Sequence, residues 1–203
     1  MPQETLIIIA ALLLFGGLHS LTAALGFKAT FKKLFGERAY HGLYRLVYNL
    51  ASIIALAPIL WHMGANPGPN VWKIEGGAGD VLLGVQFVAL LGALAALAQI
   101  DYLRFAGIRQ LLALLNFDPL PLPPEPLVTT GVYRLVRHPL YFFSIIFLFA
   151  TARMTASFFG LALGSTLYFL AGSLLEEKRL AQEKNTEYED YRRRVAWMIP
   201  FLF

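Results

Sequence analysis

Long apolar stretches, separated by short polar or turn-rich segments, dominate the chain. Five such stretches are present, at residues 6–25, 43–63, 81–100, 139–152 and 157–175. A helix needs about 20 apolar residues to cross a hydrocarbon core of roughly 30 Å, and the first three stretches reach that length. The pattern therefore predicts an all-α integral membrane protein with five transmembrane helices, folded as a single membrane-embedded domain over residues 1–203.

The segments between and after these stretches predict additional elements. The fourth stretch is short, so we expect it to begin near Pro139 and to form a tight helical hairpin with the fifth through Arg153–Thr155. Apolar residues recur at helical spacing between Arg104 and Phe117, which predicts an interfacial helix, and the proline-rich segment 119–126 predicts an extended crossing. The charged segment after residue 175 predicts a cytoplasmic C-terminal helix.

The composition agrees with a membrane protein and restricts the chemistry. Hydrophobic residues make up 57% of the chain and charged residues 15%, whereas a typical soluble domain is about half apolar and a quarter charged. The absence of cysteine excludes disulfides and thiolate ligands. The four histidines are scattered without the spacing of a metal site, so we predict no metal. Any site must use histidine, carboxylates, arginine, tyrosine and backbone groups.

The positions of the basic residues predict the orientation. Of the 17 lysines and arginines, only Lys73 and Arg153 fall outside three segments that the five-span arrangement places on one side. The positive-inside rule makes that side cytoplasmic, so we expect the N-terminus outside and the C-terminus in the cytoplasm. Because the basic residues alternate with apolar spans, we expect membrane lipids and no nucleic acid as partners.

A basic and aromatic motif precedes the fourth apolar stretch, in the sequence Gly131-Val-Tyr-Arg-Leu-Val-Arg-His-Pro-Leu-Tyr141. Pro139 favours the first turn of a helix and disfavours helical geometry at His138, so Arg137 and His138 should project at the start of the span. Such a place can hold an anionic group. A basic anchor with an aromatic belt at the interface is the alternative, and spacing alone leaves the two equally open.

A pair of carboxylates, Glu176 and Glu177, directly follows the fifth apolar stretch. In the five-span arrangement this pair lies at the same membrane depth as Arg137 and His138, so the two motifs can meet. The later acidic residues, including Glu187, are typical of a solvated helix face.

His19 and Ser20 are polar residues inside the first apolar stretch. A polar residue within the bilayer is unfavourable unless it faces protein or water. We expect a hydrogen bond from this position to a neighbouring helix.

Together the two motifs resemble those of the isoprenylcysteine carboxyl methyltransferase and phospholipid methyltransferase superfamily. The resemblance rests on residues 131–141 and on Glu176-Glu-Lys-Arg-Leu180 with the downstream Tyr188, Tyr191, Val195 and Pro200. The chain departs from it at Lys184-Asn185, where the superfamily often has Phe-Gly, but asparagine also tolerates the left-handed backbone of a helix-ending turn. Leu18–Ala23, Tyr44–Asn49 and Phe105–Gln110 further resemble bacterial methanethiol S-methyltransferases.

The resemblance implies an integral-membrane enzyme of a bacterial inner membrane. It also implies that this enzyme binds S-adenosylmethionine and methylates a small-molecule or lipid-soluble acceptor, such as methanethiol. It implies catalytic roles for Arg137 and Glu177. It also implies that the cofactor contacts the following residues: Leu127, Val128, Gly131, Val132, Tyr133, His138, Pro139, Tyr141, Glu176 and Glu177.

Three other interpretations remain open at this point. Two are enzymes that methylate a prenylcysteine carboxylate or a phospholipid amine. The third is a non-catalytic membrane protein of a denitrification-associated family, which has a similar Phe35-Gly-Glu-Arg-Ala-Tyr40 segment. The intact Arg137-His-Pro139 and Glu176-Glu177 motifs favour an enzyme.

Overall fold

A computed structural model describes residues 1–200 of the chain. Helices form most of this range, together with one pair of short strands. The helices are α1 (Gln3–Ala23), α2 (Leu25–Ala65), α3 (Gly77–Ala98), α4 (Tyr102–Ala106), α5 (Ile108–Leu115), α6 (Pro139–Phe149), α7 (Ala156–Lys184) and α8 (Thr186–Arg194), with a 3₁₀ turn at Gly131–Arg134.

Four of these helices, α1, α2, α3 and α7, are long and apolar enough to cross a membrane. The integral-membrane, helical class is thus supported, while α6 has only 11 residues and the count of five spans stays a prediction. Two predicted boundaries were wrong. The second span continues a helix that starts at Leu25 and is interrupted at Gly36, where φ is 83°. The fifth continues to Lys184, so Glu176 and Glu177 lie inside α7 instead of after it.

Helices α6 and α7 follow each other and are in contact, as predicted, but their connection is not a plain tight turn: it contains one strand of a two-stranded antiparallel ribbon. Strand β1 (Asn70–Lys73) pairs with β2 (Arg153–Thr155), and Trp72 lies opposite Met154. The Trp72 indole N–H donates to the Thr151 carbonyl at 2.9 Å. Helix α6 ends at Phe149 because the chain then extends to pair with β1, a partner more than 70 residues away that local periodicity does not reveal.

The predicted interfacial helix is two helices, α4 and α5. They meet at Gly107, whose φ of 92° lies in the left-handed region. A side chain there would also collide with the backbone of Leu46. Asp101 caps α4 by accepting from the Arg104 amide at 3.0 Å. Residues 119–126 form neither helix nor strand, and the extended crossing stays a prediction.

The chain divides into two compact units. The first comprises Met1–Ile9, Asn66–Ile100 and the residues from Pro126 onward, and it contains the ribbon, α3, α6, α7 and α8. The second comprises Ala10–Ala65 and Asp101–Glu125, and it contains α2, α4 and α5. Both predicted motifs lie in the first unit. The single domain over residues 1–203 stays a prediction.

Candidate functional site

His138 lies where the sequence placed it, directly before helix α6. It is the N-terminal flanking residue of α6, with φ −121° and ψ 62°, and Pro139 is the first helical residue. Proline fits this position because its missing N–H would have no intrahelical partner there. The His138 side chain is buried, with 5% of its surface exposed.

The two motifs meet in the first unit. The Arg137 Nε donates to Glu177 Oε1 at 2.6 Å, and His138 Nε2 lies 3.3 Å from the same oxygen. On the other side of the imidazole ring, Nδ1 lies 3.6 Å from Glu176 Oε2. The Tyr141 hydroxyl donates to that Glu176 oxygen at 3.3 Å. One ring is thus held between two carboxylates, and Arg137 and Glu177 are both nearly buried.

The carboxylates change the protonation of the groups beside them. Burial alone would lower the pKa of His138, but hydrogen bonds and charge interactions with Glu176 and Glu177 outweigh it, so the pKa lies above the ordinary 6.5. Burial, with a smaller contribution from Glu176, raises the pKa of Tyr133 to about 12. His138 therefore favours its charged form, and Tyr133 stays a neutral hydrogen-bonding group at neutral pH.

Helix α8 completes the surroundings of Arg137, which the sequence did not predict. Arg137 Nη1 donates to the carbonyls of Arg192 and Val195 at 3.2 and 2.7 Å, and its backbone N–H donates to Ala196 at 2.8 Å. The Arg192 Nε lies 3.8 Å from Glu177 Oε2. The guanidinium of Arg137 thus joins α7 to the C-terminal end of α8.

A buried tyrosine cluster fixes α8 in place. Tyr188, Tyr191 and Val195 form its centre, and Leu127 and Leu180 pack against it. The Tyr191 hydroxyl donates to the Tyr133 carbonyl at 2.7 Å. The spacing of three residues between Tyr188 and Tyr191 places both on one face of α8, and this was the available signal for their role. Val195 follows directly after the end of the helix.

Gly131 brings the start of the first motif against helix α3. Its φ is 56°, and a side chain there would collide with the amide of Gln99. The Gln99 Oε1 is buried and has no hydrogen-bond partner among the described residues. Sequence reasoning missed Gln99, since nothing in a single polar residue at a helix end marks it. Val128 and Val132 are half-buried in the same segment, and their role in a site stays a prediction.

Most of the predicted residues fall into four places. Arg137, His138, Tyr141, Glu176 and Glu177 form one charged cluster. Leu127 and Tyr133 contact the tyrosine cluster, and Gly131 contacts Gln99. Pro139 is buried and serves to begin α6. A cluster that offers two carboxylates beside cationic groups can bind a molecule that carries charges of both signs.

Comparison with known proteins identifies relatives over almost the whole chain. The sequence profile of the NnrU protein family matches residues 7–195. Methanethiol S-methyltransferase 2 of Bradyrhizobium diazoefficiens is 33% identical over 190 residues, which are 94% of this chain and 71% of that protein. A methanethiol S-methyltransferase of a Pseudomonas species is 32% identical, with 98% and 74% covered. That of Crocosphaera subtropica is 31% identical, with 91% and 70% covered.

No solved structure matches the chain. The similarity therefore rests on sequence alone, and it covers both motifs. It confirms the predicted resemblance to membrane methyltransferases, including the bacterial methanethiol S-methyltransferases. The chain, a helical protein with membrane-spanning character, therefore belongs to the NnrU protein family and is similar in sequence to methanethiol S-methyltransferases.

Proposed function

We propose that this protein is an S-adenosylmethionine-dependent methyltransferase that transfers a methyl group to a small thiol such as methanethiol. The observation that carries the proposal is the cluster of His138, Tyr141, Glu176 and Glu177, which joins the two motifs within hydrogen-bonding distances. The names of relatives at 31–33% identity support the choice of a thiol as acceptor.

The donors and acceptors of the first unit fit this cofactor. S-adenosylmethionine carries an ammonium and a carboxylate as well as its sulfonium, and a site for it needs groups of both signs. The Glu176 side chain is 37% exposed and can accept from the ammonium or the ribose hydroxyls. The buried Gln99 Oε1, which has no partner among the described residues, offers a further acceptor near Gly131.

The residues divide into those that contact the cofactor and those that position others. Glu176, His138, Tyr133 and Tyr141 would hold it, together with backbone from Leu127 to Val132. The sequence assigned a catalytic role to Arg137. Because its guanidinium is bonded to Glu177 and to two carbonyls, we propose that it positions Glu177. The rings of Tyr133 and Tyr141 can favour a cation by a cation–π contact.

When bound, the cofactor supplies an activated methyl group on its sulfonium. The protein's part in the reaction is orientation, because an in-line transfer needs the nucleophile about 3 Å from the methyl carbon and no covalent intermediate on the enzyme. His138, fixed between two carboxylates, holds the geometry of Glu176 and Glu177. The burial of His138 and Glu177 also keeps water away from these two side chains.

The membrane arrangement is part of the proposal. We infer five spans, with the N-terminus outside and the site at the cytoplasmic boundary, from the distribution of lysines and arginines. The similarity to bacterial proteins supports an inner membrane of a bacterium as the location. The acceptor then reaches the site from the bilayer or its surface. A prenylcysteine carboxylate and a phospholipid amine remain alternative acceptors of the same chemistry.

An acceptor screen tests this function. The purified protein, in detergent, is incubated with methyl-labelled S-adenosylmethionine and, separately, with methanethiol, a prenylcysteine and a phosphatidylethanolamine. We expect labelled dimethyl sulfide to form with methanethiol, and His138→Ala to abolish most of it. Absence of transfer to every acceptor, combined with absence of heat on titration with S-adenosylhomocysteine, would contradict the enzyme.

A further inference from the structure

A cavity of about 280 Å³ lies within the second unit, between the residues of α1 and α2. Its walls are mainly aromatic and include Phe15, Phe27, Phe31 and Tyr44. The volume is close to the lower end of the roughly 300–1,000 Å³ typical of small-molecule sites. Such walls suit an apolar molecule, because ring faces and edges make favourable contacts with aliphatic chains and with sulfur.

One part of the cavity wall is polar. His19 Nδ1 lies 2.8 Å from Ser52 Oγ, and His19 Nε2 lies 2.5 Å from the Tyr48 hydroxyl. The hydrogen bond that the sequence predicted between His19 and a neighbouring helix is thus present. Polar groups at this depth in apolar helices are unfavourable unless they have a structural or functional use.

The hydrogen bonds determine which way each proton points. Ser52 Oγ lies 2.7 Å from the Tyr48 carbonyl, which can only accept, so the serine hydroxyl donates there. Ser52 must then accept from a protonated His19 Nδ1, and the unprotonated Nε2 accepts from the Tyr48 hydroxyl. Every polar hydrogen of this cluster is donated inside the protein. A ligand at the polar wall therefore meets oxygen acceptors and must supply the hydrogen itself.

We propose that this cavity binds a lipid-soluble thiol in its S–H form, as the acceptor that the protein draws from the bilayer, and that it prefers this thiol to the methylated product. The choice of a thiol rests on the proposed function. Methylation would form an S–CH₃ bond on the acceptor as the sulfonium–CH₃ bond of the methyl donor breaks. The donor would leave as a neutral thioether, and the S–H hydrogen would go to water as a proton. The product keeps the apolar body of the acceptor and loses its only donor, so the polar wall distinguishes the two.

Binding can be measured without any methyl donor. The full-length protein is placed in lipid nanodiscs, and the free concentration of a volatile ligand is read from the headspace by gas chromatography, with empty nanodiscs as the blank. The ligands are hexane-1-thiol and hexyl methyl sulfide. We expect saturable binding of one molecule per chain, with Kd about 2- to 4-fold lower for the thiol, because an S–H group is a weak donor and its hydrogen bond lies at the low end of the usual net range.

Two matched pairs of variants locate the ligand. Ser52→Ala should remove the preference for the thiol, whereas Thr30→Ala, which loses the same kind of bond to a carbonyl four residues earlier, should retain it. Ala55 lines the cavity and Ala57, on the same helix, is exposed outside its lining. Ala55→Phe should abolish binding of both ligands, and Ala57→Phe should leave it unchanged.

Three results would overturn the proposal. The first is equal affinity for hexane-1-thiol and hexyl methyl sulfide, and the second is saturable binding that survives Ala55→Phe. The third comes from a control pair, hexan-1-ol and hexyl methyl ether: tighter binding of the alcohol than of its ether, with no such difference between the thiol and its sulfide. The last would assign the cavity to a hydroxyl-bearing amphiphile. The binding assay contains no methyl donor, so its result is independent of the acceptor screen. Thiol binding here with no methyl transfer in that screen would refute the proposed function alone. Methyl transfer in that screen with no thiol binding here would refute this site alone.

Discussion

Replacement of Glu177 by glutamine is the most informative perturbation of the charged cluster. The substitution keeps the size of the side chain and one acceptor oxygen, but it removes the negative charge. Glu177 accepts from Arg137 at 2.6 Å and lies 3.3 Å from His138 Nε2. The side chains of Arg137 and Glu177 are only 8% and 11% exposed, so water replaces little of the lost interaction.

The expected loss can be worked from this geometry. A charge-assisted hydrogen bond contributes about 1.5–3 kcal/mol, which corresponds to roughly 10- to 150-fold in cofactor affinity or rate. In Glu177→Gln the buried guanidinium of Arg137 also loses its counter-charge, so we expect the upper part of that range. Glu187 is exposed on α8, and Glu187→Gln should change activity by no more than about 0.5 kcal/mol, or about twofold.

Cofactor titrations of the two variants and the wild type, followed by methyl transfer and by calorimetry, measure this difference. Size-exclusion profiles in detergent show whether each variant is folded. If Glu187→Gln loses as much activity as Glu177→Gln while both remain monodisperse, the charged cluster does not bind the cofactor or orient it for methyl transfer.

Three further predictions use other parts of the first unit. Because the pKa of His138 is raised, its stabilising charge is fully present below pH 6.5 and is lost as the pH rises through the higher folded-state pKa. The difference in Tm between wild type and His138→Gln should therefore shrink between about pH 6 and pH 9. A difference in Tm that stays constant over this range would contradict the prediction. Gly131→Ala should destabilise the protein by about 1–3 kcal/mol in thermal unfolding because of its positive φ and the nearby Gln99, whereas Gly172→Ala, which has open space, should not. Single cysteines at Asn70 and Glu187 should react with a membrane-impermeant maleimide from opposite sides of the membrane, and labelling from one side would refute the five-span topology.

Local rules were sufficient to predict much of the cluster. The start of α6 at Pro139 follows from the fixed φ of proline. Helix α7 ends at Asn185 as the sequence suggested, and the φ of that residue is positive at 49°, but its ψ of −123° lies outside the left-handed helical region that was expected. The contact between His138 and Glu177 followed from two span lengths that place both motifs at the same depth.

The features that the sequence did not reveal depend on pairing between distant segments. The strand Arg153–Thr155 exists because β1 lies beside it. The role of Arg137 depends on the chain after α8, where Val136 and Ala196 form a parallel bridge that brings carbonyls to the guanidinium. No periodicity within either segment indicates such a partner.

The hydrogen bonds from Arg137 to the end of α8 couple the local stability of that helix to ligand binding near Glu177. The last carbonyls of a helix have no partner within it, and here one guanidinium serves two carbonyls at the end of α8 and a carboxylate on α7. A ligand that stabilises Glu177 in place also restrains α8 against local opening. Amide hydrogen exchange across Thr186–Arg194 consequently measures occupancy in a membrane sample that has no chromophore or label.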